Sequence, residues 1–295
     1  MYTRMMIRLG YPAQNLGLPE TTNRTLRLAS LIDVDRLKGI VRKNIAGLRN
    51  ILHWNAERGI WLFRMGQDLV PFASHPAFPY DWTAEHGGEL REAGELARTL
   101  GIRLSMHPGQ YIQPASPRPG VAARGIEELR YVTRVFDLMG AEDAVTVLHI
   151  GGGYGDKPGT AARFVEVMSP QTEILRYLAL ENDERVWTAF ETVETARSLG
   201  IPAITDSLHH NLNPDGLSLR EALDLSLPTW EKRGTRPKLH LSSQDREKRP
   251  GAHAYSIDSL DLEALFSALD GREADVVVEA KGKEQALAAM GVRVR

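Results

Sequence analysis

Histidine, aspartate and glutamate recur at the carboxyl ends of strand-like runs along this 295-residue chain. Eight such runs can be read, and seven end in a residue type that binds a metal or handles a phosphate. The endings are Phe72-Ala-Ser-His75, Met106-His107-Pro108, Leu148-His149, Leu180-Glu181-Asn182-Asp183, Thr205-Asp206 with His209, Lys238-Leu239-His240 and Val278-Glu279. Ligands delivered one per strand to a single rim are what a multinuclear metal site on a β/α barrel requires.

Taken singly, each residue has an ordinary explanation. A lone histidine after an apolar run is more often a hydrogen-bonded core or loop residue than a ligand. As a set they read differently, because His107, His149, Glu181, Asp206, His240 and Glu279 leave the ends of different strands, and a metal needs imidazoles and carboxylates that converge. Glu181 ends an apolar run that carries its carboxylate into the barrel mouth, where an unpaired charge is expensive. A metal removes that expense, and so would a neighbouring arginine. Glu279 poses the same choice on the last strand. Asp206 and His209, spaced D-x-x-H, can serve two adjacent metals, whereas His210 cannot point the same way. Lys238 and His240 lie two apart and share a strand face. An ammonium there repels metals, which leaves three readings of Lys238: turned toward a substrate phosphate, modified to an anionic group, or pointing outward into solvent.

Positioning these residues takes repeated strand-helix units. Strand-like runs span Met5 to Tyr11, Ile60 to Met65, Ile102 to Met106, Ala144 to Ile150, Tyr177 to Glu181, Ala203 to Thr205, Pro237 to Leu241 and Asp275 to Glu279. Amphipathic helical segments lie at Val34 to Glu57, Glu89 to Leu100, Val121 to Met139, Ala161 to Met168, Trp187 to Leu199, Leu219 to Leu225, Leu260 to Leu269 and Lys283 to Met290. Glycine precedes the runs at Ile60, Ile102 and Ile201. This pattern fits a single (β/α)8 TIM barrel over residues 1–295 better than a doubly wound sheet.

Composition narrows the function classes. Hydrophobic residues make up 42% and charged residues 25%, with no long apolar run, which describes a globular protein without a membrane span. With no cysteine, disulfides and thiolate ligands are excluded, and a reducing cytoplasm is the expected home. The amino terminus lacks the apolar stretch of a secretory signal, and Met5 or Met6 competes with Met1 as the start. The net charge of −2 argues against a generic polyanion-coating protein but allows a local basic surface. Between 232 and 249 stand Lys232, Arg233, Arg236, Lys238, Arg246, Lys248 and Arg249 against only Asp245 and Glu247. Such a run usually means a solvated loop; beside a metal cluster it suits a phosphodiester backbone. Gln110 and Tyr111 after His107, and Tyr11 at the end of the first strand, could stack on or wedge between bases. Gly151-Gly-Gly-Tyr-Gly155 lacks the frame of a phosphate-binding loop.

The motifs Arg8-Leu-Gly-Tyr-Pro12, Asn23-Arg-Thr-Leu-Arg27, Phe72-Ala-Ser-His-Pro76, Ser105-Met-His-Pro-Gly-Gln-Tyr111, Leu180-Glu-Asn-Asp183, Asp206-Ser-Leu-His-His210, Lys248-Arg-Pro-Gly-Ala-His253 and Val278-Glu-Ala-Lys-Gly282 together resemble the UV damage endonucleases, relatives of endonuclease IV. The resemblance spans nearly the whole chain. It implies a TIM barrel with up to three divalent ions, usually manganese, that nicks double-stranded DNA immediately 5′ of UV photoproducts. By that similarity His107, His149 and Glu181 hold one metal. Glu181 bridges to a second on Asp206, His240 and Glu279, and a third uses His209 and His253. His75 joins as a further ligand or phosphate contact, and Lys238 matches a lysine carried as a carboxylated side chain. Glu181, Lys238 and His75 form the implied catalytic set. Tyr11, Asn15, Gln110, Tyr111, Arg246, Lys248 and Arg249 are the implied DNA contacts, with Gln110 and Tyr111 filling the space left by a flipped lesion.

The expected chemistry is hydrolysis, in which divalent ions make water nucleophilic at neutral pH and stabilise the leaving 3′ oxygen. The products are then a 3′-hydroxyl and a 5′-phosphate, and the protein works as a monomer. A metal-dependent sugar isomerase is the first rival, since such barrels also gather His, Glu and Asp. A metal-bound damage sensor without turnover is the second.

Overall fold

The computed structural model describes residues 7–290; Met5 and Met6, the expected start of the first strand, lie outside them. Eight parallel strands occur among the described residues: β1 (Ile7–Pro12), β2 (Leu62–Met65), β3 (Arg103–Met106), β4 (Val145–His149), β5 (Leu178–Glu181), β6 (Ala203–Ile204), β7 (Lys238–Leu241) and β8 (Ala274–Val278). Helices alternate with them: α1 (Val34–Glu57), α2 (Trp82–Thr99), α3 (Pro119–Met139), α4 (Lys157–Met168), α5 (Thr172–Leu175), α6 (Ala189–Leu199), α7 (Ser207–Leu212), α8 (Leu219–Ser226), α9 (Ser259–Leu269) and α10 (Lys283–Ala289). The pairing order is β6-β5-β4-β3-β2-β1-β8-β7. The remaining seam, between β6 and β7, is closed by a parallel bridge of Asp206 with His240 and by the His240 N–H donating to Thr205 O at 3.1 Å. The result is a TIM barrel.

Strand alternation sorts the side chains. Leu9, Tyr11, Phe63, Met65, Leu104, Met106, Leu239, Leu241, Val276 and Val278 join the core packed outward against the helices. The opposite parity faces the lumen: Arg8 on β1, Arg64 on β2, Arg103 on β3, Lys238 and His240 on β7, Asp275 on β8, with Glu181 ending β5. This parity corrects the reading of Tyr11 as a rim residue. The ring is fully buried, edge-on to Phe63 at 5.3 Å, and its hydroxyl donates to Asn55 Oδ1 of α1 at 2.7 Å.

Two departures from the expected elements have local causes. Helix α2 starts at Trp82 rather than near Glu89, because Asp81 caps it by accepting from the N–H groups of Thr83 and Ala84. Gly94 in it is a packing device: a Cβ there would lie 1.8 Å from Met139 O of α3. Helix α7 is absent from the sequence pattern; its N-cap is Asp206, which accepts from the His209 N–H at 2.8 Å.

The amino-terminal end of the lumen is sealed by charge. Arg8 donates twice to Asp275, at 2.6 and 2.7 Å, and Arg103 once at 2.9 Å. Trp230 sits beneath, with the Arg103 guanidinium 5.4 Å from its ring. Burial works against charge on Asp275, but the hydrogen bond from Arg8 and the charge of Arg103 hold its carboxyl below the usual range. Asp275→Asn is therefore expected to cost roughly 3–5 kcal/mol, because it strands buried cations, read as a lower urea midpoint. A carboxyl with a depressed folded pKa lends stability above its unfolded value and loses it as pH falls through the folded one. The gap between wild type and variant should thus narrow below about pH 4; a constant gap down to about pH 3 would show that the aspartate's charge is not what matters.

Candidate metal centre

At the carboxyl end of the lumen, Glu181 meets four histidines. His107 Nε2 lies 2.9 Å and His149 Nε2 3.5 Å from Glu181 Oε2, while His240 Nδ1 lies 2.6 Å and His209 Nδ1 3.8 Å from Oε1. Glu279 Oε1 approaches the same His240 Nδ1 at 2.9 Å. Three groups of ligand atoms result, each within 4.8 Å of one another: His107, His149 and Glu181; Glu181, Asp206 and His209; Glu181, His240 and Glu279. Glu181 belongs to all three. Asp206 thus sits with His209, not with His240 and Glu279 as the resemblance implied. The cause is α7: an N-cap carboxylate lies beside the third residue of its helix. His253 stands outside these groups, its Nδ1 3.7 Å from Glu279 Oε2.

The donor chemistry fits cations. His107 Nδ1 faces Pro108 O at 3.2 Å and His149 Nδ1 faces Glu181 O at 3.2 Å. A carbonyl only accepts, so each Nδ1 carries the proton, and in the neutral ring Nε2 offers a lone pair, the form a metal ligand needs. Burial pushes the His107 pKa down despite Glu181, and its bare Nε2 then confronts a carboxylate oxygen. A cation between them resolves that repulsion. Although burial opposes its charge, His240 foremost holds Glu181 well below the usual carboxylate range. Burial likewise opposes charge on Glu279, and Arg64 and His240 hold its pKa well down. Mixed oxygen and imidazole donors suit divalent first-row metals.

The other implied residues fall in several places. Lys238 is fully buried in the lumen, with its Nζ 3.3 Å from Ser105 Oγ, so the solvated outward reading is excluded. Burial and Arg103 bring its pKa down to about 7. His75 lies apart from the ligand groups: its Nδ1 accepts from the Ala77 N–H at 3.1 Å, and it lines a separate cavity of about 400 Å³ with Gln67, Tyr111 and Glu128. Asn15 is buried rather than DNA-facing; its Nδ2 donates to the Tyr11 hydroxyl at 2.8 Å and its Oδ1 accepts from the Gly17 N–H. Gln110 and Tyr111 are exposed, Tyr111 by 68%.

The basic run is not one surface, because β7 carries its halves to opposite ends of the barrel. Arg233 donates to Arg176 O, and Arg236 pairs with Glu273 at 3.2 Å, at the amino end. At the carboxyl end Arg246 pairs with Asp258 and Lys248 with Asp245, each at 3.2 Å. Arg249 instead lines the cleft of about 440 Å³ above the ligands, with His149, His209 and His253. Sequence reading missed Arg64, which pairs with Glu279. Its signal was its parity on β2. In Gly151-Gly-Gly-Tyr-Gly155 the Gly152 N–H and the Tyr154 hydroxyl donate to Gln113 Oε1.

A TIM barrel with carboxylates and imidazoles converging at its carboxyl end belongs to the class of barrels able to hold metal ions at the catalytic rim. The chain matches the family UV-endonuclease UvdE over residues 7–293 and belongs to it. It is 32% identical over 295 residues to the UV DNA damage endonuclease of Bacillus pumilus (strain SAFR-032), covering 96% of this chain and 92% of that one. The solved structure of SacUVDE is similar with a TM-score of 0.90 at 32% identity, covering 96% of each chain. Endonuclease IV from Thermus thermophilus shares the fold, with a TM-score of 0.57 at 16% identity over 83% of this chain and 93% of that one. Family membership makes the protein an endonuclease of UV-damaged DNA, which sets aside the sugar isomerase and the inert sensor. Among the described residues, no helix is long and apolar enough to cross a membrane.

Burial opposes charge on His240, but Glu181 and Glu279 push its pKa up to about 9; Asp206 and Glu181 do the same for His209 against its burial. Raised folded values mean stabilisation present below the unfolded pKa of 6.5 and lost as pH rises through about 9. Cation uptake at neutral pH must displace these protons. Affinity for a divalent cation should therefore weaken as pH falls from about 9, by up to about tenfold per pH unit for each proton released. Calorimetry in buffers of different ionisation enthalpy counts them, and uptake that releases no protons at about pH 7 would contradict the ligand roles of His209 and His240.

Proposed function

We propose that the protein nicks duplex DNA immediately 5′ of cyclobutane pyrimidine dimers and 6-4 photoproducts, leaving a 3′-hydroxyl and a 5′-phosphate. The observation that carries this reading is Glu181 shared among three ligand groups, whose members His107, His149, His209 and Glu279 line a cleft together with Arg249, in a chain of the UvdE family. His107, His149, Glu181, Asp206, His209, His240 and Glu279 hold up to three divalent ions, manganese being the candidate, with His253 at the edge. Such ions supply a nucleophile at neutral pH and stabilise charge at the leaving oxygen.

The chain's own groups do the rest. Arg64 beside Glu279 keeps that carboxylate ionised and oriented. Asn182 fixes the Asp206 backbone by accepting from its N–H at 2.8 Å, and Ser242 Oγ donates to the Asp206 carboxylate at 3.2 Å. Lys238 suits carboxylation: its buried amine has a depressed pKa, and a neutral amine adds carbon dioxide, forming an N–C bond and giving a proton to water. The product would be an anion in the lumen, which removes the repulsion that an ammonium would offer to cations bound above it. Arg249 holds a backbone phosphate over the cleft, and Gln110 and Tyr111 enter the duplex where the lesion leaves it. His75, set apart from the ligands, serves a phosphate and not a metal.

Glu181→Ala should lower incision by more than about a hundredfold, since even indirect supports of a metal site cost ten- to a hundredfold. The readout is nicking of UV-irradiated supercoiled plasmid, alongside metal content of the folded variant; full metal content with wild-type nicking rejects the shared-ligand role. Arg249→Ala should make the slope of log affinity against log salt shallower by about 0.9, the value of one phosphate contact. Arg246→Ala, already paired with Asp258, should leave the slope near wild type. Anisotropy titrations on photoproduct duplex at several salt concentrations distinguish them, and the reverse ranking sinks the assignment.

A further inference from the structure

The loop between β3 and α3 presents Gln110 and Tyr111, and one amide holds it. Gln67, in the short turn after β2, accepts at Oε1 from the Gly109 N–H at 2.8 Å. From Nε2 it donates to Glu128 Oε1 of α3 at 2.7 Å and to the Tyr111 hydroxyl. The amide cannot be turned over, because a backbone N–H only donates and a carboxylate only accepts. Ser74 Oγ holds the other Glu128 oxygen. The Gln67 carbonyl accepts from the buried Tyr131 hydroxyl at 3.0 Å, which itself accepts from the Val70 N–H at 3.0 Å. On the far side, Gln113 Nε2 donates to Gln110 O at 2.6 Å.

These contacts shape the exposed tyrosine in two ways. A Cβ on Gly109 would lie 2.6 Å from the Tyr111 ring, so the ring folds back over Gly109 and any side chain there would displace it. The Tyr111 hydroxyl accepts from Gln67, which leaves its own proton free for an acceptor outside the protein. Burial and the nearby Glu128 raise the phenol pKa, so that proton stays in place.

We propose that Gln67, seated by Glu128, is a positioning residue that sets Tyr111 in its DNA-facing pose before DNA arrives, and that discrimination of damaged from undamaged duplex depends on it. The inference rests on the reading of Gln110 and Tyr111 as the residues that enter the duplex. Its physical content is preorganisation: a loop ordered in advance spares binding the entropy of ordering it, and releasing Tyr111 and its neighbour should weaken affinity by about tenfold.

The test uses the manganese-loaded full chain and a duplex carrying one UV photoproduct. Gln67→Met keeps the side-chain bulk and removes all three hydrogen bonds; Glu128→Leu removes the seat. Both should raise the half-saturating concentration for photoproduct duplex by about tenfold, leave binding of undamaged duplex nearly unchanged, and preserve the single-turnover rate at saturation and the metal content. Gln67→Met added to Tyr111→Ala should cost nothing further. If either variant fails to fold by thermal melting, Gln67→Glu replaces it, since it exchanges the donating amide for an oxygen at constant shape and leaves Glu128 and Tyr111 without that donor. Wild-type discrimination in Gln67→Met, with Tyr111→Ala impaired, overturns the positioning role and spares the duplex-entry reading. Wild-type discrimination in Tyr111→Ala overturns both.

Discussion

Three carboxylates, Glu181, Asp206 and Glu279, are buried at one end of the barrel within reach of a common set of imidazoles. Carboxylates so withdrawn from water are tolerable only with compensating positive charge. Much of the surrounding design answers that demand. Arg64 reaches up from β2 to Glu279, backbone carbonyls turn His107 and His149 to present Nε2, and Asn182 and Ser242 steady Asp206. The other end of the lumen has its own answer, with Asp275 between Arg8 and Arg103. A single tube of side chains therefore holds two electrostatic centres, one closed by arginines and one suited to cations.

Much of this was legible in the sequence because barrel strands are short and regular. Chemically useful residues at strand ends announced both the eight-strand repeat and the positions of His107, His149, Glu181, His240 and Glu279. What escaped was parity and what lies between strands. Tyr11 and Arg64 are both near strand ends, but period-two alternation sends the first outward to Asn55 and the second inward to Glu279. Counting back from the ligands would have separated them. The two halves of the basic run are contiguous in sequence, but the strand read at Pro237 to Leu241 crosses the barrel wall, and β7 therefore sets them at opposite ends. Helix α7 escaped for a related reason: six residues are too few to show a period, although Asp206 at its cap was in plain view.

The supports of the Gln110-Tyr111 loop were illegible for a different reason. Gln67, Gln113 and Glu128 are ordinary polar residues at unremarkable spacings, and their role exists only once three connections meet at the rim. The barrel thereby separates its tasks. Strand ends hold the charged centre rigidly, and the loops beyond them build the surface that meets a substrate.

The seam between β6 and β7 carries one more implication. Here the sheet has no ladder, only the bridge of Asp206 with His240 and a single hydrogen bond to Thr205 O, and both bridging residues belong to the ligand set. Cations held by Asp206 on one side, His240 on the other and Glu181 between would act as rivets across the thinnest join in the wall. The same ions that equip the chamber for chemistry would then keep it round, so a chain stripped of them loses reactivity and mechanical closure at one place.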